Sequence, residues 1–232
     1  MMYTGSATAS GRGTVFGALL VLLVAAVPVS ASDWRPETLQ GHLGAGVQVM
    51  PDASARVVTE DEARGHSTFG VLLEFPVGLG IGLDWEEDTD TGRRLFGGSG
   101  GARSEWERRT MLFRARYAYR LPVASEALEL GPYATIAGGP GRTSLALTMD
   151  GTTRDQSMLV WDIHAALGAE VRLLLQPLVL GLFADFGWRG RSAQRFDRLA
   201  ADDDSLPVDA GTLRMSGAHG RIGLLVGVRF GL

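Results

Sequence analysis

Apolar and polar or glycine positions alternate along this chain with a period of two. That is the repeat of an extended strand, whose side chains point alternately to opposite faces. The C-terminal segment shows it best. Ile222, Leu224, Val226, Val228, Phe230 and Leu232 share one face, and Arg221, Gly223, Leu225, Gly227, Arg229 and Gly231 share the other. The same division recurs in seven earlier segments, at about 38–49, 67–75, 79–86, 107–121, 128–149, 157–173 and 178–189. The pattern predicts an all-β fold of eight antiparallel strands. The fifth segment is irregular: Leu128, Leu130, Ala134 and Ile136 form its apolar face, and Pro132 interrupts it. Across Gly138-Gly139-Pro140-Gly141 the apolar positions change parity to Leu145, Leu147 and Met149. Proline cannot donate to the ladder, so a bulge or kink is expected there.

A soluble barrel or sandwich buries the apolar face, whereas a membrane barrel turns it outward to lipid. Three features predict the second arrangement. Connections alternate between long (50–66, 87–106, 140–156, 190–216) and short (Pro76-Val77-Gly78, Pro122 to Ala127, Leu174 to Pro177), as in outer-membrane barrels. Aromatic residues of the apolar face gather at strand ends. Trp85, Trp161 and Trp188 lie toward the long connections, and Phe75, Tyr119 and Phe230 toward the short turns. These two sets match girdles at the membrane interfaces. The polar face carries seven acids (Glu74, Asp84, Glu86, Glu129, Asp162, Glu170, Asp185) and eight arginines (108, 114, 116, 120, 172, 189, 221, 229). His42, His164 and His219 share that face, and His66 is placed in the first long loop. Turn geometry pairs Arg120 with Glu129 and Asp162 with Arg189.

The N-terminus reads as an address. Arg12 precedes an apolar run from Val15 to Val29, with small residues before a cut after Ala31. This is a cleaved signal peptide over 1–31 followed by a single barrel domain over 32–232. The run is too short to span a bilayer as a helix, which takes about 20 residues.

Composition alters the picture little. The 232 residues are 45% hydrophobic and 21% charged, with formal charge −4, 32 glycines and no cysteine. Every basic residue is arginine. A small negative charge excludes a nucleic-acid binder of the usual basic kind. The absence of cysteine excludes disulfides and thiolate chemistry.

With these features the chain resembles the small eight-stranded outer-membrane β-barrels of the OmpA/OmpX type, over about 38–232. Gly227, Phe230 and Leu232 look like the C-terminal signal read by the barrel-assembly machinery, although the family usually ends in Phe or Trp. The resemblance implies an up-and-down transmembrane barrel in a Gram-negative outer membrane, monomeric and in contact with outer-membrane lipids and lipopolysaccharide. No periplasmic peptidoglycan-binding domain is expected after the last strand. Eight strands enclose a lumen just wide enough for side chains. The polar face should therefore pack as a salt-bridge network, with inward glycines leaving room for arginines. No cofactor or metal site is expected.

Two alternatives remain. Some relatives modify lipid A with a rim histidine, serine and acid. Ser216-Gly217-Ala218-His219 is the nearest approach here, but it does not reproduce the His-x-Ser pattern of the deacylases. A narrow solute channel is the other. Gly97-Gly98-Ser99-Gly100-Gly101 has no helix after it and reads as a loop tip. Asp202-Asp203-Asp204 reads as a solvated acidic loop.

Overall fold

A computed structural model describes residues 35–49, 63–95, 101–121, 127–149, 151–195, 212–213 and 216–230. The expected leader, the tip at 97–100, the acidic run 202–204 and the terminal Leu232 lie outside the described residues. Eight strands close into one barrel: β1 (Thr38–Val49), β2 (Ala63–Glu74), β3 (Leu79–Leu95), β4 (Gly101–Ala118), β5 (Leu128–Met149), β6 (Thr152–Leu175), β7 (Leu178–Arg191) and β10 (Gly217–Arg229). Each pairs antiparallel with its neighbours, and β10 meets β1 to complete the closure. Two short strands, β8 (Gln194–Arg195) and β9 (Thr212–Leu213), pair with each other apart from the barrel.

The pairing fixes the stagger. Following direct partners once around, Leu39 leads to Leu73, Ile81, Ala115, Ile136, Ala165, Trp188, Ala218 and back to Val49 in β1. The circuit returns ten residues further along the same strand, so the strands tilt by roughly 35–45° to the barrel axis.

One end of the barrel has tight connections. In the Phe75–Gly78 turn the Gly78 N–H donates to the Phe75 carbonyl (2.9 Å), and the Phe75 N–H donates to Leu79 (2.8 Å). Gly78 has a φ of +81°, and a Cβ there would lie 2.1 Å from the Ala118 carbonyl oxygen, so only glycine fits. At the other end the long connections predicted at 87–106 and 140–156 are mostly strand. β3 and β4 stay paired to Leu95↔Gly101, and β5 and β6 to Met149↔Thr152, with Gly151 at φ +77° in the turn. These extensions carry no outward apolar row: β3 is polar on both faces beyond Trp85 (Glu87, Asp88, Thr89), and in β4 and β5 the polarity inverts, with Trp106 and Leu145 inward.

That inversion also corrects the expected change of parity in β5. Its register against β6 runs unbroken from Leu128↔Leu173 to Met149↔Thr152, and against β4 it is the same on both sides of Gly139-Pro140. No bulge shifts the phase. Odd-numbered residues face inward throughout: Tyr133, Thr135, Ala137, Thr143 and Leu145 are all buried. Instead, the polarity of the faces reverses along the strand. Ile136 faces outward and Leu145 inward, while Arg142 is exposed on the outside. β4 does the same, with Phe113 outward, Trp106 fully buried inside and Arg109 outside.

Below that level the outward face is apolar and uncovered on every strand. Phe186 is 67% exposed, Ile222 66% and Trp161 63%, whereas the adjacent inward Asp185, Arg221 and Asp162 are buried.

Candidate functional site

The barrel interior is the densest concentration of chemistry in the molecule. Alternation delivers one inward side chain every second residue from each strand, and the stagger stacks them in layers. The layer at the tight-turn end joins Glu37, Glu74, Glu129 and Glu170 to Arg116, Arg120, Arg172 and Arg229. Arg172 donates to both oxygens of Glu74 (2.6 and 3.0 Å) and approaches Glu170 at 2.6 Å. Arg116 reaches Glu170 at 2.5 Å, Gln40 donates to Glu74 at 2.7 Å, and Arg120 donates to Glu37 at 2.9 Å. Arg229 pairs with Glu37 and lies 3.4 Å from Glu129.

The middle layer holds Asp84 and Asp185 with Arg114 and Arg221. Arg221 grips Asp185 with Nε (3.0 Å) and Nη2 (2.6 Å), and Tyr133 donates its hydroxyl to the same carboxylate at 3.0 Å. Arg114 pairs with Asp84, and His42 Nε2 lies 3.0 Å from Asp84 Oδ1. The outer layer joins Glu86, Asp88 and Asp162 to Arg108, Arg189 and Arg191. Arg189 pairs with Glu86, and Arg108 pairs with Asp162 and with Asp88 (2.8 Å). Arg191 donates to Asp88 at 3.0 Å and lies 3.4 Å from Asp162. The layers interlock through Arg221 and Glu86, 3.5 Å apart.

Four acids face four arginines, then two face two, then three face three. The interior thus balances layer by layer, as burial of ions demands. Every residue expected in the lumen (Glu74, Asp84, Arg114, Arg116, Arg120, Glu129, Asp162, His164, Glu170, Arg172, Asp185, Arg189, Arg221 and Arg229) faces the interior, and all but Arg120, Glu129 and Arg229 are buried. Those three sit at the tight-turn mouth and are half-buried. Balance is completed by Glu37, Asp88 and Arg191, which sequence reasoning assigned to no strand.

Two pairings expected from turn geometry fare differently. Arg120 Nε is 3.9 Å from Glu129 Oε2, and its nearer partner is Glu37. Asp162 does not pair with Arg189. The register sets Asp162 opposite Arg191 and His164 opposite Arg189.

Three of the histidines form a separate cluster. His66 belongs to β2, not to a loop, and is buried beside His219, with ring centroids 6.5 Å apart. His219 in turn lies 5.2 Å from His164. None of these six ring nitrogens has a hydrogen-bond partner among the described residues. No group of three or more His, Asp or Glu among the described residues is arranged to hold a metal ion. The Ser216 hydroxyl accepts from the Arg191 backbone N–H (3.1 Å), while the His219 ring lies tilted at 54° to that of His164.

Inward glycines make room, though mostly not for arginine. A Cβ on Gly44 would lie 2.9 Å from the Phe183 ring, one on Gly46 2.3 Å from His66, and one on Gly168 2.5 Å from Tyr133. Phe183 and Tyr133 are the bulky apolar filling that the sequence reading overlooked. Trp106, Leu145 and Val160, all buried, cap the network at the long-hairpin end, with Arg191 5.9 Å from the Trp106 ring.

Of the predicted girdle, Trp161, Trp188, Tyr119 and Phe230 are exposed outward, and Trp85 is half-buried against Phe69 (6.4 Å). Phe75 is the exception. It is 8% exposed, because the strand has already turned at Pro76. From the stagger and a rise of roughly 3.3 Å per residue, Trp85 and Trp188 lie at about the same height, while Trp161 sits roughly 8 Å further toward the long hairpins.

No protein-family model matches this chain, and no curated protein sequence matches it. Among solved structures it is similar to Ail, the attachment invasion locus protein of Yersinia pestis (12% identity, covering 84% of this chain and 99% of that one, TM-score 0.40). It is also similar to the neisserial surface protein NspA (10%, 83% and 96%, TM-score 0.41). A third similar structure is the outer membrane protease OmpT of Escherichia coli (6%, 88% and 99%, TM-score 0.37).

Proposed function

We propose that this chain is an integral protein of a bacterial outer membrane. In this reading it is exported with a cleaved leader, inserted by the barrel-assembly machinery, monomeric and not an enzyme, and it serves envelope structure or surface interaction. The observation that carries the reading is the polarity of the barrel. Leucine, isoleucine, valine and aromatic residues cover the outside on all eight strands, while nine acids and nine arginines fill the inside. In water that outer surface would be an unsheltered apolar belt far larger than the few hundred Å² a soluble monomer exposes. In lipid it is the solvent-matched face.

The filled lumen favours a structural barrel over a solute channel. Each layer closes on itself, and Trp106, Leu145 and Val160 lie across the long-hairpin end. Among the described residues Ser216 accepts from the Arg191 backbone N–H and His219 lies beside His164, an arrangement that favours a non-enzymatic role over lipid A modification. Neighbours in fold include a protein named for attachment and invasion and a surface protein, in line with long hairpins that present a surface.

Migration on a denaturing gel after refolding in detergent tests the reading. Unboiled protein is expected to run faster than boiled protein, as a compact barrel does. Co-migration of the two would contradict a detergent-stable barrel. Lipid A mass spectra with and without expression should be identical; a modified species would establish the enzyme instead.

A further inference from the structure

We infer that the outward face of β2 and β3 is a binding surface for the shorter acyl chains of a mixed bilayer, held as a locally thinned annulus beside those two strands. The inference rests on the membrane reading above and adds to it which lipid one side of the barrel selects.

The apolar belt differs in height around the barrel. On β2 only Phe69, Val71 and Leu73 form an unbroken outward apolar run, and on β3 the run is Leu79 to Trp85. On β6 every outward residue from Leu159 to Leu175 is apolar, and on β7 every one from Leu178 to Trp188. The pairing order sets β6 diametrically opposite β2, and β7 opposite β3. With a rise of roughly 3.3 Å per residue and a tilt of about 40°, the runs are about 10 Å tall on β2 and about 15 Å on β3. The same geometry gives about 40 Å on β6 and about 25 Å on β7, against an ordinary outer-membrane band of about 25 Å.

The thin side is closed at both ends by the chain itself. Below Leu73 the strand turns at Pro76, and Phe75 is buried. Above Phe69 and Trp85 come Ser67 and Glu87, direct partners in the ladder, with the Glu87 side chain 39% exposed. Glu87, Arg109 on β4 and Arg142 on β5 form one cross-strand row of charges, and the same row reaches β6 at Leu159, which is 83% exposed. The upper border of the belt is therefore polar from β2 to β5 and apolar on β6. Leaning the barrel does not even out the difference. Val71 and Leu167, the midpoints of the β2 and β6 runs, differ in height by only about 3 Å, and a lean moves each run without changing its length.

A bilayer meets a short apolar wall by thinning, and a long one by thickening or by letting side chains run into the headgroups. Long acyl chains beside β2 and β3 bring hydrocarbon up against Ser67 and Glu87 or down around the Pro76 turn. Short chains match the wall as it stands, lying against Phe69 (55% exposed), Val71 (52%) and Ile81 (48%).

The test uses the full mature barrel in phosphatidylcholine vesicles and two outward tryptophans at about the same height, Trp85 on β3 and Trp188 on β7. W34F/W161F/W188F keeps the first and W34F/W85F/W161F the second; Trp106 stays in both, buried inside the barrel. Brominated dioleoyl lipid quenches a tryptophan beside it. Dilution with unlabelled dilauroyl lipid then reports displacement, normalised to dilution with unlabelled dioleoyl lipid. Dilauroyl lipid should displace the long chains at Trp85 at least about twofold more strongly than at Trp188. S67L/E87L, which lengthens the short wall and leaves Arg109 its contact with Glu107 (2.5 Å), should bring Trp85 level with Trp188. Equal displacement at the two tryptophans, or a difference that survives S67L/E87L, would overturn the inference. Should a tryptophan variant fail to insert, V71C and L167C carrying a bromine-quenched fluorophore repeat the comparison at the midpoints of the β2 and β6 runs. Insertion with equal displacement sinks the inference and leaves the membrane reading standing; failure of the natural chain to insert sinks both.

Discussion

Arg172 of β6 reaches across the lumen to Glu74 of β2, ninety-eight positions apart in sequence, and binds both of its carboxylate oxygens at 2.6 and 3.0 Å. The two strands are not neighbours in the barrel. The bidentate pair is therefore a cross-brace through the interior, with Gln40, Arg116 and Arg120 completing the shell around Glu74. Replacing Glu74 by leucine leaves buried arginines short of a counter-ion. Removal of one partner from such a pair costs about 3–5 kcal/mol. Urea titration of barrels folded in vesicles should show that loss for E74L, with most of it recovered in E74L/R172L. A recovery no better than the single variant would mean the pair is not an isolated unit of charge balance.

Outward positions at different depths should respond unequally to an added charge. Leu224 is 53% exposed on the outer face, near the middle of the apolar belt by the stagger of the strands. L224R should destabilise the vesicle-bound barrel by about 2–4 kcal/mol, the usual cost of arginine near the bilayer midplane. V49R, on the same face but at the long-connection end of β1, should cost less than half as much. Equal costs at the two positions would indicate that depth does not matter, and so that no bilayer surrounds the strands.

The space beside Gly44 is shaped by Phe183. A methyl group added at Gly44 meets the Phe183 ring at 2.9 Å and Thr68 Cγ2 at 3.0 Å, both side chains. G44A should lose about 1–3 kcal/mol through overpacking, and F183L should relieve part of it. The double-mutant cycle checks this. Strict additivity would show that the glycine is not there for the ring.

The cap at the long-hairpin end should be separable from the barrel beneath it. W106A removes the largest fully buried apolar side chain above the ion layers. Amide hydrogen exchange should quicken in the parts of β4 and β5 beyond Thr110 and Gly141 while the membrane-level strands keep their protection. Uniform loss of protection would instead make Trp106 a support of the whole barrel.

Strand number, pairing order and the inward set were legible because the belt forces strict alternation: a one-residue slip would put Arg221 or Asp185 in lipid. Beyond the belt that constraint lapses. In the membrane reading water replaces lipid outside, while Trp106 and Leu145 close the inside and the polarity reverses with no change of phase. The reversal resembled a bulge in β5, whereas Asp88, Arg191 and His66 fell among apparent loops because their outward neighbours Glu87, Gly190 and Gly65 are no longer apolar. Phe75 misled for a local reason, since parity continues on paper past the point where Pro76 turns the chain. The pairing of Asp162 was illegible because lumenal partners are chosen across the barrel and not only around the nearest turn. Nothing in spacing alone showed that Arg109 and Arg142 stand side by side; that needed the β4–β5 register.

Site-directed spin labelling tests the outward apolar face most directly, and a chain with no cysteine suits it. Single cysteines at positions 221 through 228, labelled and placed in lipid vesicles, report contact with oxygen dissolved in lipid and with a water-soluble nickel chelate. Labels at 222, 224, 226 and 228 should collide with oxygen and not with nickel, while those at 221, 223, 225 and 227 meet neither freely. Strong nickel contact at the odd positions, with the even ones sheltered from both, would mean that the charged face meets water and the apolar face is a core, contradicting the account.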